Sequence, residues 1–224
     1  GVAIVGNWVL LFASYSRASI AIGTAVYNVQ PFILVGLAAV FLGEKITLAK
    51  VTWLSVAFLG MLAIVSAHGA GQGSGEDYLL GIGLALGAAF LYAIAALIIK
   101  RLKGTPPHLI ALIQVATGVL LLAPWVKLGG LPGETSALAS LVTLGLVHTG
   151  VMYVLLYSAI QRLPTALTGA LSFVYPIAAI LVDWVAFGHR LAPLQWLGVA
   201  LILLAAAGMQ QGWWFRPARV AVKH

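Results

Sequence analysis

Few side chains in this sequence can do chemistry, and most of them lie inside long apolar stretches. His148 sits near the middle of the uncharged run 135–161, and it is the one titratable group that the sequence places near mid-membrane. An ionisable residue so placed is a functional candidate by default, and a neutral, hydrogen-bonded structural histidine is the competing role. Pro31 and Pro176 stand at the midpoints of the runs 19–43 and 164–187. Proline inside a helix removes one amide donor and pushes away the carbonyl four residues back, here those of Tyr27 and Ser172. Polar residues collect around both prolines. Thr24, Tyr27 and Asn28 precede Pro31 at helical spacing, with Gln30 beside it; Thr165, Thr168, Ser172 and Tyr175 form a similar stripe before Pro176. Thr149, Tyr153 and Tyr157 share a face of the helix carrying His148, while Asn7, Trp8, Tyr92, Gln114 and Thr117 lie on other helices. Each could serve only as an interhelical hydrogen bond. Their concentration beside two matching helix breaks points instead to reversible binding of a small solute, with Tyr27, Asn28, His148, Tyr153, Ser172 and Tyr175 as the polar lining.

Other chemistries are excluded. There is no cysteine, so thiolate metal sites and thiol nucleophiles are absent. The five His and five acids show no metal-ligand spacing, and no cofactor is expected. No Lys or Arg lies mid-run, so a phosphorylated or dianionic solute lacks a partner. No mid-run acid is present for a cationic drug. The solute that remains is a neutral or zwitterionic small molecule, held by hydrogen bonds and tyrosine rings.

The elements that must position these residues are membrane helices. The chain has 224 residues, 62% hydrophobic and 8% charged, which excludes a soluble globular domain and a nucleic-acid binder. The net charge of +7 comes from 12 Lys and Arg in short clusters between uncharged runs, so its partner is the lipid bilayer rather than a polyanion. A helix needs about 20 apolar residues to span the hydrocarbon core. The runs predict an all-α polytopic membrane protein of eight helices, near 2–16, 19–43, 51–67, 79–100, 107–126, 137–160, 164–187 and 194–214. Lys45, Lys50, Lys100, Arg101, Lys103, Arg162, Arg216, Arg219 and Lys223 fall on one side; only Arg17, Lys127 and Arg190 fall on the other. The positive-inside rule makes the first side cytoplasmic and places the C-terminus there. Trp53, Trp125, Trp184, Trp196, Trp213 and Trp214 lie near helix ends and read as an interfacial belt, and Gly83 and Gly87 read as a helix-packing pair. Asp183, near a helix end, reads as structural.

The sequence also repeats itself. At an offset of 145, Val9-Leu10-Leu11 meets Val154-Leu155-Leu156, Arg17 meets Arg162, Pro31 meets Pro176, Gly43 meets Gly188 and Lys45 meets Arg190. After a slip of two, Trp53-Leu54 meets Trp196-Leu197. Five helices separate the copies, an odd number, so they point in opposite directions. Inverted repeats are the architecture of secondary transporters, in which exchanging the two halves' conformations gives alternating access. A duplicated scaffold without transport is the plainer reading.

Tyr27 through Pro31-Phe32, closed by Phe41-Leu42-Gly43-Glu44-Lys45, and its second copy, Tyr175-Pro176 closed by Phe187-Gly188-His189-Arg190, resemble the EamA branch of the drug/metabolite transporter superfamily. The resemblance covers nearly the whole chain. It implies two five-helix repeats and export of metabolites, with amino-acid exporters of the YddG type nearest in character. On that pattern residues 1–67 are helices three to five of an incomplete first repeat, and two helices are expected upstream. Residues 68–78 are an outer linker, 79–214 a complete second repeat and 215–224 a cytoplasmic tail. The resemblance implies an exporter of the cell inner membrane, not an enzyme. A nucleotide-sugar or drug carrier of the same superfamily, or an integral-membrane enzyme, is the alternative. Against the enzyme, Glu44 is the only acid in the loops of the basic side, with no second acid to share acid–base chemistry.

Overall fold

The computed structural model describes residues 1–18, 20–66, 76–126, 134–175, 177–178 and 192–213. Each apolar run that the sequence marks as a helix is helical over most of its described part, because in lipid a spanning backbone must satisfy its own amides and carbonyls. The helices are α1 (Val2–Ala18), α2 (Ile20–Tyr27), α3 (Gln30–Leu42), α4 (Leu48–Ser66), α5 (Glu76–Arg101), α6 (Pro107–Leu122), α7 (Thr135–Thr143), α8 (Met152–Arg162), α9 (Thr165–Leu171) and α10 (Pro193–Gln211). A π-helical stretch, Leu144–Val151, joins α7 to α8, and a 3-10 turn, Ser172–Val174, follows α9. Among the described residues five helices are long and apolar enough to cross a membrane, including the 28-residue span Thr135–Arg162.

The run 19–43 is one span broken in the middle. α2 ends at Tyr27 and α3 begins at Gln30, with Pro31 in the first turn of α3, where its missing N–H costs least. α3 stops at Gly43, whose φ of 66° is left-handed, and the next amide, Glu44, bonds back to Ala38.

Small residues set the packing, as expected where helices associate without a hydrophobic driving force. α1 and α5 run antiparallel: Ala18 lies against Gly81, Leu10 against Gly87 and Leu91 against Gly6. The buried face of α5 is Ala85, Ala88, Ala89, Ala93 and Ala96. Of the expected Gly83–Gly87 packing pair only Gly87 packs, against Leu10; Gly83 faces open space, and Gly81 makes the second close contact, with Ala18. α4 and α10 pack equally closely, with Gly60 and Gly198 facing each other's carbonyls.

α3 takes part in two cores. Val35 joins Leu54, Met61, Phe173 and Ile202 of α4, α10 and the turn after α9, while Leu34 and Ala38 join Ile99, Tyr157 and Ile160 of α5 and α8. Trp53 departs from the expected interfacial belt. It is buried, its indole N–H donates to the Trp213 carbonyl at 2.7 Å, and its ring covers Gly208. Trp125, Trp196 and Trp213 are exposed as a belt requires, and Trp184 and Trp214 lie outside the described residues. α7 and the π-helical stretch have no buried residue.

Candidate functional site

The break between α2 and α3 crosses the 3-10 turn after α9. Gly169 allows the approach, since a Cβ there would lie 2.9 Å from the Pro31 ring. Two side-chain bonds join the elements: Asn28 Nδ2 donates to the Tyr175 hydroxyl at 3.3 Å, and Gln30 Nε2 donates to Ser172 Oγ at 3.4 Å. Asn28 also donates back to the Thr24 carbonyl of α2 at 2.7 Å. Residue 31 would supply the α-helical bond to the Tyr27 carbonyl, and as proline it has no N–H to give. The second span leaves α geometry at Ser172, while Pro176 itself lies outside the described residues. The two departures from α-helix are thus in hydrogen-bond contact with each other.

Tyrosines extend from this crossing. Tyr27 receives a hydrogen bond from Asn7 Nδ2 at 3.3 Å and meets the Tyr92 ring edge-on at 6.2 Å. Asn7 is buried and also donates to the Ala88 carbonyl at 2.8 Å, fixing α1 to α5. Trp8 Nε1 donates to the Tyr153 hydroxyl at 2.7 Å. Tyr153 stacks on Tyr157 at 5.2 Å, and the Tyr157 hydroxyl donates to Gln114 Oε1. Tyr15 closes the group, its hydroxyl accepting from Thr24 at 3.4 Å. Six of the seven tyrosines therefore lie within this set of contacts.

Of the residues singled out from sequence, Tyr27, Asn28, Tyr153, Ser172 and Tyr175 are brought together or linked through Trp8, Asn7 and Gln30. His148 is not. It is exposed on the π-helical stretch and makes none of these contacts. Thr149, its neighbour, bonds to the Leu144 carbonyl and lines a separate apolar cleft of about 580 Å³ between α6 and α8, with His108 and Leu112 among its walls. Tyr15 carried no sequence signal. Trp8 had one, since it aligns with Tyr153 at the repeat offset.

A second polar cluster lies where α3 and α5 end and α9 begins. Thr165 donates to Glu44 Oε1 at 2.6 Å, Lys100 Nζ lies 3.7 Å from the same oxygen, and Lys100 donates to the Leu163 carbonyl at 2.5 Å. Arg101 donates to the Phe41 carbonyl. Glu44, read from sequence as an acid with no second acid beside it, is a brace between three helices. Among the described residues no group of three or more His, Cys, Asp or Glu is placed to hold a metal.

An all-helical bundle with broken spans meeting at a tyrosine-rich, uncharged crossing has the form of a membrane transporter. Residues 79–210 match the EamA-like transporter family, and the chain belongs to that family. It is 30% identical over 210 residues to an uncharacterized transporter, YxxF, of Bacillus subtilis, covering 92% of this chain and 67% of that one. It is 29% identical over 195 residues to a probable terminal-alkyne amino-acid exporter of Streptantibioticus cattleyicolor, with 87% and 64% covered. It is 28% identical over 215 residues to a riboflavin transporter of Vibrio cholerae, with 93% and 68% covered. The chain spans about two thirds of the length of these relatives. A crystal structure superposes with a TM-score of 0.81 at 21% identity, covering 93% of this chain and 73% of that one, and it shows the same fold. The chain is therefore a multi-pass membrane transporter and not an enzyme.

Proposed function

We propose that the protein exports small neutral or zwitterionic metabolites, amino acids foremost, across the cell inner membrane. Transport proceeds by alternating access between inverted repeats, with the C-terminus cytoplasmic. The observation that carries the substrate class is the composition of the crossing: tyrosine, tryptophan and side-chain amides, with no lysine, arginine or acid among the described contacts. Such a site satisfies a polar solute by hydrogen bonds and ring faces without a fixed counter-charge. Tyr27, Asn28, Tyr153, Ser172 and Tyr175 form its lining, with Pro31 and Pro176 supplying the breaks and His148 a separate contact from the π-helical stretch. Nine basic residues against three support the orientation. The amino-acid assignment is supported by the relative named for amino-acid export, and the riboflavin transporter keeps a planar aromatic solute in the same test. That test is efflux of radiolabelled solutes from cells expressing the protein. The expected result is faster loss of neutral amino acids than from cells without it. Loss of riboflavin alone would replace the amino-acid reading, and no accelerated loss of any solute in the panel would refute it.

A further inference from the structure

Gln30 is buried, with 4% of its surface exposed, at the break between α2 and α3. Its side chain is half-satisfied. Nε2 donates to Ser172 Oγ, while Oε1 is buried and accepts no hydrogen bond from any described residue. Turning the amide over does not repair this. Ser172 has one hydroxyl hydrogen, and that hydrogen is committed to the Gly169 carbonyl at 2.7 Å. Ser172 can therefore only accept from Gln30, which fixes the NH₂ toward Ser172 and the carbonyl oxygen away from it. A buried acceptor without a donor costs about 1–3 kcal/mol, and native proteins keep few of them. Three residues earlier, the Tyr27 carbonyl has lost its helical donor to Pro31. The break thus presents one buried acceptor without a donor among the described residues and one carbonyl whose α-helical donor position is a proline, beside a hydrogen-bonded amide and tyrosine, Asn28 and Tyr175.

We infer that Gln30 Oε1 is the substrate's amine contact. The ligand group that matches an unpaired amide oxygen beside a proline-freed carbonyl and tyrosine is a primary ammonium, which offers three N–H donors and no acceptor. Its charge is compatible with a site lacking acids, because amide and carbonyl dipoles and tyrosine faces solvate it. The inference rests on the transport reading above and names the part of the solute that the crossing holds.

The test uses the purified full chain in proteoliposomes, with L-phenylalanine, its deaminated counterpart 3-phenylpropionate, L-threonine and riboflavin as probes. Thermal unfolding of solute-free protein is measured in parallel. In the wild type, 3-phenylpropionate should compete at least about tenfold less well than L-phenylalanine, the usual value of a hydrogen bond to a charged group. Gln30→Met, similar in shape and without an acceptor, should raise the half-saturating L-phenylalanine concentration by about tenfold and leave competition by 3-phenylpropionate unchanged. The solute-free variant should melt at the wild-type temperature or above, since an orphan acceptor has been removed. Gln30→Glu, which keeps an acceptor, should retain amino-acid transport. Unchanged half-saturation in Gln30→Met with a lowered melting temperature would make the amide structural and overturn the inference alone. Equal competition by the deaminated acid in the wild type would overturn it without any variant. A wild type that moves riboflavin and no amine overturns both this inference and the amino-acid reading, as does one that moves none of the four.

Discussion

The indole N–H of Trp8 donates to the hydroxyl of Tyr153 at 2.7 Å, across 145 positions of sequence. That separation equals the offset at which the two halves of the chain align. Under exchange of two inverted repeats, position 8 maps onto 153 and 153 onto 8, so the contact maps onto itself. Its distance should therefore be the same in the inward-open and outward-open states. The bond between Thr165 and Glu44 maps to positions 20 and 189 and has no such protection. The chain has no cysteine, so engineered pairs report cleanly. Trp8→Cys with Tyr153→Cys should cross-link to the same extent with and without substrate. Glu44→Cys with Thr165→Cys should cross-link to an extent that substrate changes. Substrate-sensitive linking of the first pair would show that the halves do not exchange as inverted repeats.

The brace at Glu44 makes an unequal prediction for its two charges. The Lys100 side chain is 9% exposed and the Glu44 side chain 29%. Removing Glu44 leaves a buried ammonium with only the Leu163 carbonyl, whereas removing Lys100 leaves a partly solvated carboxylate that still accepts from Thr165. Stranding the better-buried charge costs more. Glu44→Ala should lower stability in detergent by about 1–3 kcal/mol, and Lys100→Met by less. Equal losses in the two variants, read as melting temperatures, would count against this assignment.

Glycine substitutions should separate close packing from open faces. A Cβ on Gly198 would sit 2.5 Å from the Gly60 carbonyl oxygen, whereas one on Gly36 meets nothing within 4 Å. Neither glycine has positive φ, so the contrast is one of space alone. Gly198→Ala should push α10 from α4 and cost about 1–3 kcal/mol, as overpacking does. Gly36→Ala should be neutral or slightly stabilising. Thermal unfolding of both variants decides it, and a Gly198→Ala protein as stable as wild type would mean that α4 and α10 are not locked at this contact.

The same contrasts show what could be read before the fold was seen. Helices were legible because uncharged runs of membrane length admit little else, and the broken span was legible from Pro31. Which face of each helix turns inward was not. Val9 and Leu11 are alike in hydropathy, yet Val9 is exposed and Leu11 buried, because the lipid-facing and protein-facing sides of a membrane helix are both apolar. Asn7 and Trp8 are recognisably polar in sequence, but their partners Ala88 and Tyr153 depend on which helices become neighbours. Gln30 looked like a companion of Asn28, and its unpaired oxygen emerges only from the crossing with Ser172. The Glu44 brace was hidden because its partners come from helices 56 and 121 residues away in sequence.

Transport should depend on the tyrosines at the crossing more than on their contribution to folding. Tyr175 is half-exposed and reaches Asn28 only through its hydroxyl, and Tyr27 is held by Asn7 and faces Tyr92. Neither fills the centre of a core, in contrast to Tyr157, which is 1% exposed. Tyr175→Ala and Tyr27→Ala should therefore insert and purify normally while slowing efflux by about three- to tenfold, which corresponds to an aromatic contact of about 0.5–1.5 kcal/mol. Tyr157→Ala should lower the yield of folded protein, since it removes a large buried ring and strands Gln114. His148→Gln separates the remaining candidate. As a solute contact it slows efflux at every pH, and as a proton carrier it removes only the pH dependence. Wild-type efflux in both Tyr175→Ala and Tyr27→Ala would place the solute elsewhere, with the apolar cleft between α6 and α8 the next surface to probe.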